Sequence, residues 1–280
     1  MKLVPIDTPD DPRLAVYQAI GDAELLRARG LFVAEGRLVV CRVLEDRRFR
    51  VMSLMVTPTA LAALGPERLA SSPHTEVHVC ELRLFRATTG FNIHRGCLAM
   101  VERPPTIEPK ALVGTSTGAA PMVVLEDVAD ADNVGSIFRS AAAFGAAGVL
   151  LSPACCDPLY RKAVRTSMAA TLRVPYARVH PWPQALDWLK GEGYALAALT
   201  PREPARGLSE FAAGTRPGRL AILLGSEGAG LSEGALARAD VRVRIPITSM
   251  VDSLNVGVAC GIALALLADS DHPRVPPDVR

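Results

Sequence analysis

Hydrophobic residues in the C-terminal half of the chain form short continuous runs. These runs lie at residues 122–125, 148–151, 194–199, 220–224 and 241–245. Such a run, bounded by turn residues, is typical of a strand buried on both faces of a parallel sheet. Between the first two runs, apolar residues from Val134 to Phe144 recur at helical spacing, and Gly145 is placed to end that helix. A later helix is predicted from Leu254 to Leu267, with Ser253 as its N-cap. The pattern therefore predicts an α/β fold, a parallel sheet with helices on both faces.

The N-terminal part shows a second, smaller alternation of the same kind. Its predicted strands are 51–56, 77–80 and 97–101, and its predicted helices are 35–45 and 82–88. Residues 104–118, which separate the two parts, are rich in Pro, Gly, Ser and Thr, as linkers are. We therefore expect a small α/β domain at 1–107, a linker at 108–120 and a parallel-sheet domain at 121–280.

The composition limits the class of protein but does not indicate what the protein binds. Hydrophobic residues make up 49% and charged residues 21% of the 280 residues, which excludes an intrinsically disordered chain. The net charge is only +2, so binding to nucleic acid is neither demanded nor excluded.

Metal, disulfide and membrane signals are weak. The six cysteines lack a CxxC pair and have no histidine at ligand spacing, which predicts reduced thiols and no metal site: Cys41, Cys80, Cys97, Cys155, Cys156 and Cys260. The N-terminus has no apolar signal-peptide region, and the longest apolar segment, 254–268, is shorter than the roughly 20 residues that span a bilayer. We expect a cytoplasmic protein without a membrane partner.

Three segments that follow predicted strands carry unusual polar residues, and ligands of α/β sheets bind at the carboxyl ends of strands. The first, residues 127–139, places Asn133 at a helix entrance and Arg139 about 140° from Val134 around the helix, off its apolar face. The second, Leu-Gly-Ser-Glu-Gly-Ala-Gly-Leu at 224–231, holds Glu227 in a glycine-rich loop. The third, 245–259, puts Asn255 in the first turn of the last helix.

Each segment has an ordinary structural explanation when it is taken alone. The first could be a capped helix with a solvated arginine, the second a strand-to-helix turn and the third simple capping. Two nucleotide-binding alternatives are disfavoured. No GxxxxGK[ST] motif is present, and the GxGxxxG at 228–234 lacks an acidic strand end about 20 residues later.

In this order and at these spacings, the three segments resemble the motifs of the SpoU/TrmH family of RNA 2′-O-ribose methyltransferases, in the SPOUT superfamily. The first motif is matched by Asn133, Gly135 and Arg139. The second and third motifs are matched by two further sets of residues: Leu224, Gly225, Glu227, Gly230 and Leu231; and Ile245, Pro246, Ile247, Ser253, Leu254, Asn255, Val256 and Ala259. Phe32 to Val39 also resembles a Phe-x-x-Glu-Gly segment of the family's appended domain, which is similar to ribosomal protein L30e.

The resemblance implies a fold and a cofactor. The C-terminal domain is expected to contain a deep trefoil knot, an exception to the rule against knotted chains. S-adenosylmethionine is expected to bind through backbone groups of Thr200, Gly225, Ile245 and Leu254. The family also implies a homodimer whose active site lies near the subunit interface.

The same resemblance implies methyl transfer to a ribose 2′-hydroxyl of ribosomal RNA or tRNA, without a metal ion. Arg139 is the residue to which family precedent points. A guanidinium is a poor base, so we expect it to orient the 2′-hydroxyl and a neighbouring phosphate. Asn133, Glu227, Ser253 and Asn255 are expected to hold the ribose, Arg139 and the loops in place. The alternative is a non-catalytic RNA-binding or ribosome-assembly protein that retains the fold.

Overall fold

The computed structural model describes residues 2–70, 73–91, 93, 96–115, 120–214 and 217–267. The contacts between residues divide the chain into two compact units. Unit 1 comprises Met1–Pro105 and Asp157–Ala169, and unit 2 comprises Thr106–Cys156 and Ala170–Arg280.

Unit 1 is built on a five-stranded mixed sheet. Its strands are β1 Lys2–Pro5, β2 Leu31–Glu35, β3 Val51–Val56, β4 Glu76–Val79 and β5 Cys97–Glu102. The strand order is β1-β4-β3-β5-β2, in which β1 and β3 run parallel to β4, and β5 is antiparallel to β3 and β2. The three strands predicted for this part of the chain are confirmed with small shifts of their ends, whereas β1 and β2 were not predicted.

Helices cover the sheet of unit 1. They are α1 Ala15–Gln18, α2 Ala23–Ala28, α3 Arg37–Glu45, α4 Pro58–Leu64, α5 Pro66–Ala70, α6 Leu82–Thr89 and α9 Arg161–Thr166. One hydrophobic cluster joins Tyr17 and Phe85 from the helices to Met55 and Leu98 from the strands. Helices α3, α4 and α5 pack against one another, and α3 also contacts β2 and β5. The helices predicted at 35–45 and 82–88 correspond to α3 and α6.

Unit 2 is built on a seven-stranded sheet in which every pairing is parallel. Its strands are β6 Met122–Glu126, β7 Gly148–Leu151, β8 Tyr176–Arg178, β9 Ala195–Leu199, β10 Arg206–Gly207, β11 Leu220–Gly225 and β12 Val241–Arg244. The order is β10-β12-β9-β11-β6-β7-β8. The predicted parallel sheet is confirmed. The chain leaves β6 toward β7 and β8 and then returns to the other side of β6, which makes the β6–β11 boundary a topological switch point.

Helices lie on both faces of this sheet. They are α7 Pro109–Thr115, α8 Ala131–Ala143, α10 Ala185–Gly191, α11 Leu208–Ala213, α12 Glu233–Arg238 and α13 Val256–Leu267. Met122 and Val124 of β6 join the hydrophobic cluster that contains α10 and α12. Val123 and Leu125 alternate with them, are also fully buried, and face the opposite side, where α8 packs against α13. Burial on both faces explains why the strand sequence is continuously apolar.

Two helix starts differ from the predictions. Helix α8 begins three residues before Val134, because the carboxylate of Asp130 accepts hydrogen bonds from the backbone N–H groups of Asp132 and Asn133. The prediction that Ser253 caps the last helix is wrong. Helix α13 begins at Val256, and its first N–H groups are bound by the side chain of Asn255.

Two segments depart from the boundaries drawn on the sequence. Within the expected linker, residues 109–115 form α7, which buries Leu112 and Val113, and residues 116–119 lie outside the described residues. The segment Asp157–Ala169 belongs by its contacts to unit 1, although the sequence placed it in the C-terminal domain. Glu35 of β2 holds this segment. It is 5% exposed and forms ion pairs with Arg161 and Arg165 of α9.

Candidate active site

The three polar segments lie at the carboxyl edge of the unit 2 sheet. They follow β6, β11 and β12, and because the sheet is entirely parallel these strands end at the same edge. Strands β6 and β11 are neighbours, and Gly225, at the end of β11, is the register partner of Glu126 at the end of β6. The sheet order therefore brings the first two segments side by side at the switch point.

Asn255 joins all three segments through its side-chain amide. Its Nδ2 donates to Oδ1 of Asn133 at 2.8 Å and to Oε1 of Glu227 at 2.7 Å. Its Oδ1 accepts from the backbone N–H groups of Gly257 at 2.9 Å and Val258 at 3.2 Å. The helix N–H groups fix the oxygen on one side, so both amide hydrogens point at the other two segments. The Asn255 side chain thus caps α13 and binds Asn133 and Glu227, which lie 122 and 28 positions before it in the chain.

The partners of Asn255 differ in their surroundings. Asn133 is 7% exposed in the first turn of α8, so its side-chain oxygen needs the bond from Asn255. Glu227 is exposed at the tip of the glycine-rich loop. The bond from Nδ2 to the Glu227 carboxylate is charge-assisted, which makes it the stronger of the two.

Close helix packing supports this arrangement. A Cβ atom added to Gly257 would lie 2.6 Å from Oγ of Ser136, and one added to Gly261 would lie 3.3 Å from Oγ of Ser140. Small residues one turn apart on α13 thus face serines one turn apart on α8. A side chain at position 257 would push α13, and Asn255 with it, away from Asn133.

The loop from Gly225 to Leu231 is folded back on itself. The backbone N–H of Gly230 donates to the carbonyl of Ser226 at 2.9 Å, and Gly228 and Gly230 have φ values of 86° and 70°. A Cβ atom at Gly225 would lie 2.2 Å from the backbone carbon of Gly230. Glycine is required at 225 for this contact and favoured at 228 and 230 by their left-handed φ.

The backbone after β12 is open to a ligand. Most residues from Pro246 to Ser253 are exposed, and Ile245 and Leu254 are partly buried at either end. Apart from a turn at Ser249 and Met250, no backbone N–H between Ile245 and Leu254 donates a hydrogen bond to another of the described residues. At the end of β9, the buried Thr200 accepts from the N–H of Arg202, whose guanidinium donates to the carbonyl of Ala229 in the glycine-rich loop. The loop after β9 is thereby held against the loop after β11.

Arg139 and Ser253 stand apart from the hydrogen-bond network. Arg139 is exposed on α8, as its angular position predicted, and its guanidinium has no hydrogen bond or ion pair with any described residue. Gly135 lies four residues before it, directly beneath it on the helix surface. Ser253 is exposed just before α13. The structure therefore brings together Asn133, Glu227 and Asn255, and leaves Arg139 free to meet a ligand.

Two cysteines near the site, Cys155 and Cys260, are not available as nucleophiles. Burial raises the pKa of the Cys155 thiol, which lies beyond the end of β7, and raises that of Cys260 in α13 to about 12. Both thiols are protonated at neutral pH. Among the described residues no cluster of histidine, cysteine and carboxylate side chains could hold a metal ion. None of the helices in the described ranges is long and apolar enough to cross a bilayer.

Sequence reasoning missed two acidic residues at this edge. Glu126 is 4% exposed, and Asp127, directly after it, has a left-handed φ of 54° with its carboxylate bonded to Ser152. Their signal in the sequence is a pair of acids that ends an otherwise apolar strand. A buried acid and a strained backbone at a strand end are both common at functional sites.

Comparisons with known proteins match both the sequence and the fold of the chain. The sequence model of the SpoU rRNA Methylase family matches residues 120–265, the region that contains all three segments. The chain is 40% identical to an uncharacterized tRNA/rRNA methyltransferase of Mycobacterium bovis over 269 residues, covering 94% of this chain and 91% of that protein. It is 34% identical over 177 residues to the 23S rRNA (guanosine-2′-O-)-methyltransferase RlmB of Coxiella burnetii, covering 61% of this chain and 68% of that one.

A solved structure shares the fold over most of its length. The SpoU methyltransferase AviRb of Streptomyces viridochromogenes, crystallised with AdoMet, superposes with a TM-score of 0.77 at 23% identity. The match covers 92% of this chain and 98% of AviRb.

Proposed function

The chain belongs to the SpoU rRNA methylase family, and we propose that it transfers a methyl group from S-adenosylmethionine to a ribose 2′-hydroxyl of structured RNA, either ribosomal RNA or tRNA. The observation that carries the proposal is the pair of hydrogen bonds from Asn255 to Asn133 and Glu227. These bonds assemble the three family motifs into one site at the carboxyl edge of a parallel sheet. The 2′-O specificity is supported by the likeness to RlmB, a guanosine-2′-O-methyltransferase.

The residues at this edge fit a cofactor that is recognised mainly through the backbone. Thr200, Gly225, Ile245 and Leu254 would hold it, since each lies in a loop at the end of β9, β11 or β12, or just before α13. Apart from the turn at Ser249 and Met250, the backbone N–H groups from 245 to 254 have no partner among the described residues, and such groups can donate to a ligand. When bound, S-adenosylmethionine supplies an electrophilic sulfonium methyl group, so the protein has only to align the acceptor.

Arg139 would perform that alignment. Its guanidinium is exposed and unpaired within the described part of the chain, so it can donate to the 2′-hydroxyl and to an adjacent phosphate oxygen. A guanidinium stays protonated and cannot serve as the base. The proton of the 2′-hydroxyl therefore leaves to a phosphate oxygen or to water as the methyl group is transferred.

Asn133, Glu227 and Asn255 would keep the loops in the geometry that alignment needs. Asn255 fixes the start of α13 while it holds the glycine-rich loop through Glu227. Ser253, exposed next to this network, would contact the ribose. Positioning of this kind is worth a large part of the rate of a transfer between two bound groups.

Two finer features of the fold and the cellular location belong to the same proposal. The C-terminal part of unit 2 would form the deep trefoil knot, and the strand order supports this, because β9 lies between β11 and β12. Unit 1 would be an L30e-like domain that binds the RNA substrate, which its mixed sheet between helices supports. The protein would act in the cytoplasm, where its RNA substrates are made.

A homodimer would complete the site. The outer side of α13 exposes Val258 and Leu266 at 51% and 43%, two turns apart on one stripe. The loop before it exposes Met250 at 89% and Val251 at 52%. Apolar side chains exposed this close together are typical of an interface. A second copy on this surface would place the subunit interface beside Asn255.

Replacing Arg139 by alanine tests the proposed chemistry. We expect methyl incorporation into RNA to fall at least about 100-fold, because the acceptor is no longer aligned, while calorimetry shows S-adenosylmethionine binding close to that of the wild type. Arg173→Ala is the matched control, since Arg173 is an exposed arginine before β8, at the opposite edge of the sheet. Loss of cofactor binding in a folded Arg139→Ala protein would contradict the role given to Arg139.

Mapping of 2′-O-methylated nucleotides would identify the RNA substrate. Comparison of 2′-O-methyl sites in total RNA from a deletion strain and its parent should reveal the nucleotide that this enzyme modifies. A wild-type protein that binds RNA but neither binds S-adenosylmethionine nor changes any such site would instead be a non-catalytic RNA-binding protein of the same fold.

A further inference from the structure

The end of β6 carries a buried carboxylate that the proposed reaction does not use directly. Glu126 is 4% exposed, and three donors converge on it. Trp182 Nε1 and Ser232 Oγ donate to Oε1 at 2.5 Å and 2.6 Å, and the backbone N–H of Ser232 donates to Oε2 at 2.8 Å. Glu126 has no ion pair with a lysine or arginine among the described residues. A buried charge without a counter-ion is costly, and this one is held by neutral donors alone.

The donors connect Glu126 to both ends of the glycine-rich loop. At one end, Gly225 is the register partner of Glu126 in the paired strands β11 and β6. At the other end, Ser232 follows Leu231 and caps α12, so the carboxylate holds the residue where the loop stops. Between these two points the backbone folds back through the bond from Gly230 to Ser226. Glu126 thus closes the base of the loop whose tip presents Glu227 to Asn255.

We infer that Glu126 is a positioning residue for S-adenosylmethionine, acting by closing the base of the 225–231 loop. This inference rests on the proposed function, because it assigns part of the cofactor affinity of that same site to Glu126. The carboxylate does not touch the reacting atoms. It sets the distance between Gly225 and Ser232, and thereby the direction in which the backbone groups of the loop face the ligand.

A carboxylate is needed here, because it accepts on both oxygens and donates nothing. In Glu126→Gln, one oxygen still accepts from Trp182 and Ser232 Oγ, but the new NH₂ group faces the backbone N–H of Ser232. Two donors then oppose each other at the end of the loop. An exchange that is conservative in size therefore opens the base of the loop.

The test is calorimetry with S-adenosylmethionine together with steady-state methyl transfer, on the full-length chain. For Glu126→Gln we expect Kd and KM for S-adenosylmethionine to rise about tenfold or more, the cost of one lost bond to a charged group. We expect kcat at saturating S-adenosylmethionine to stay within about threefold of the wild type, because bound ligand restores the loop and Arg139 is unchanged. Ser232→Ala removes one of the three donors, but Oε1 keeps its bond from Trp182 and no two donors are opposed. It should therefore give a smaller rise in Kd of about three- to fivefold.

Asp240→Asn is the matched control. Asp240 lies at the amino edge of the same sheet, where its carboxylate accepts from the N–H of Leu196 and pairs with Lys190. We expect its Kd for S-adenosylmethionine to stay within about twofold of the wild type. Thermal unfolding of all variants separates loss of affinity from loss of stability.

The inference is overturned if Glu126→Gln and Ser232→Ala bind S-adenosylmethionine as the wild type does, or if Asp240→Asn weakens binding as much. It is also overturned if kcat at saturation falls while Kd is unchanged. A wild-type chain that fails to bind S-adenosylmethionine refutes the proposed function itself, which is a different result.

Discussion

Exchange of Asn255 for aspartate changes one atom at the centre of the site. The new side chain keeps Oδ1, so it can still cap α13 through the N–H groups of Gly257 and Val258. It replaces Nδ2 by an anionic oxygen that lies 2.7 Å from Glu227 Oε1 and 2.8 Å from Asn133 Oδ1. Two donated hydrogen bonds become two contacts between acceptors.

The expected fall in kcat/KM of Asn255→Asp follows from the two lost hydrogen bonds and the new negative charge. The bond to the Glu227 carboxylate is worth about 1.5–3 kcal/mol and the neutral bond to Asn133 about 0.5–1.5 kcal/mol. Because Glu227 and Asn255 are exposed, the lower ends apply, and repulsion between the two carboxylates adds about 1 kcal/mol in water-like surroundings. The total of about 3 kcal/mol corresponds to a fall of about 100-fold in kcat/KM at pH 8.

The loss should depend on pH with a definite sign. Repulsion raises the pKa of one carboxyl group of the 227–255 pair. Below that raised pKa the pair shares a proton, and the resulting O–H donates to the other carboxylate, as Nδ2 did. Above it both groups are charged and repel. The activity of Asn255→Asp relative to the wild type should therefore be lowest at pH 8 and recover as the pH falls.

The assay is incorporation of labelled methyl groups into total RNA from a deletion strain, between about pH 5 and 8.5. Repulsion of about 1 kcal/mol raises a carboxyl pKa by less than about one unit, so the recovery is expected at the acid end of this range. The quantity to compare is the ratio of variant to wild-type kcat/KM at each pH. Asn255→Ala is the control, since it lacks both the new acid and the helix cap and should show no recovery. Wild-type activity of Asn255→Asp at pH 8, or a ratio that does not change with pH, would refute the network.

Two further predictions concern single residues elsewhere. Glu35→Gln should lower the free energy of unfolding by about 3 kcal/mol in urea titrations, because it leaves the mostly buried Arg161 guanidinium without its counter-charge. Glu76→Gln, at an exposed ion pair, should cost less than about 1 kcal/mol. Equal costs would contradict the assignment. Gly225→Ala should weaken S-adenosylmethionine binding about tenfold or more, because the added Cβ atom would lie 2.2 Å from the backbone of Gly230. Gly191→Ala is the control, since a Cβ atom there has nothing within 4 Å. This variant should bind S-adenosylmethionine normally and melt no lower than the wild type. Normal cofactor binding by Gly225→Ala would show that the loop can shift without cost.

The packing of α8 against α13 illustrates how far the sequence alone could lead. The helical spacing from Val134 to Phe144 predicted α8 and the exposure of Arg139, both of which the structure shows. The sequence could not reveal that Gly257 and Ser136 meet at a distance too short for a Cβ atom. Contacts between elements depend on which helices become neighbours, and no periodicity within one helix encodes that.

The sequence by itself determined the central strands of the parallel sheet, the helices α8 and α13, and the places where chemistry could occur. Strands buried on both faces must be apolar throughout, so the continuous apolar runs in the sequence predicted β6 and β11. The polar residues that follow these runs predicted the position of the carboxyl edge of the sheet. Only the tertiary structure decided that Asn255, not Ser253, caps the last helix and binds Glu227, and that Glu126 closes the loop base. Local patterns arise from the period of a helix or strand, whereas these bonds join atoms that the sheet order brings together from distant parts of the chain.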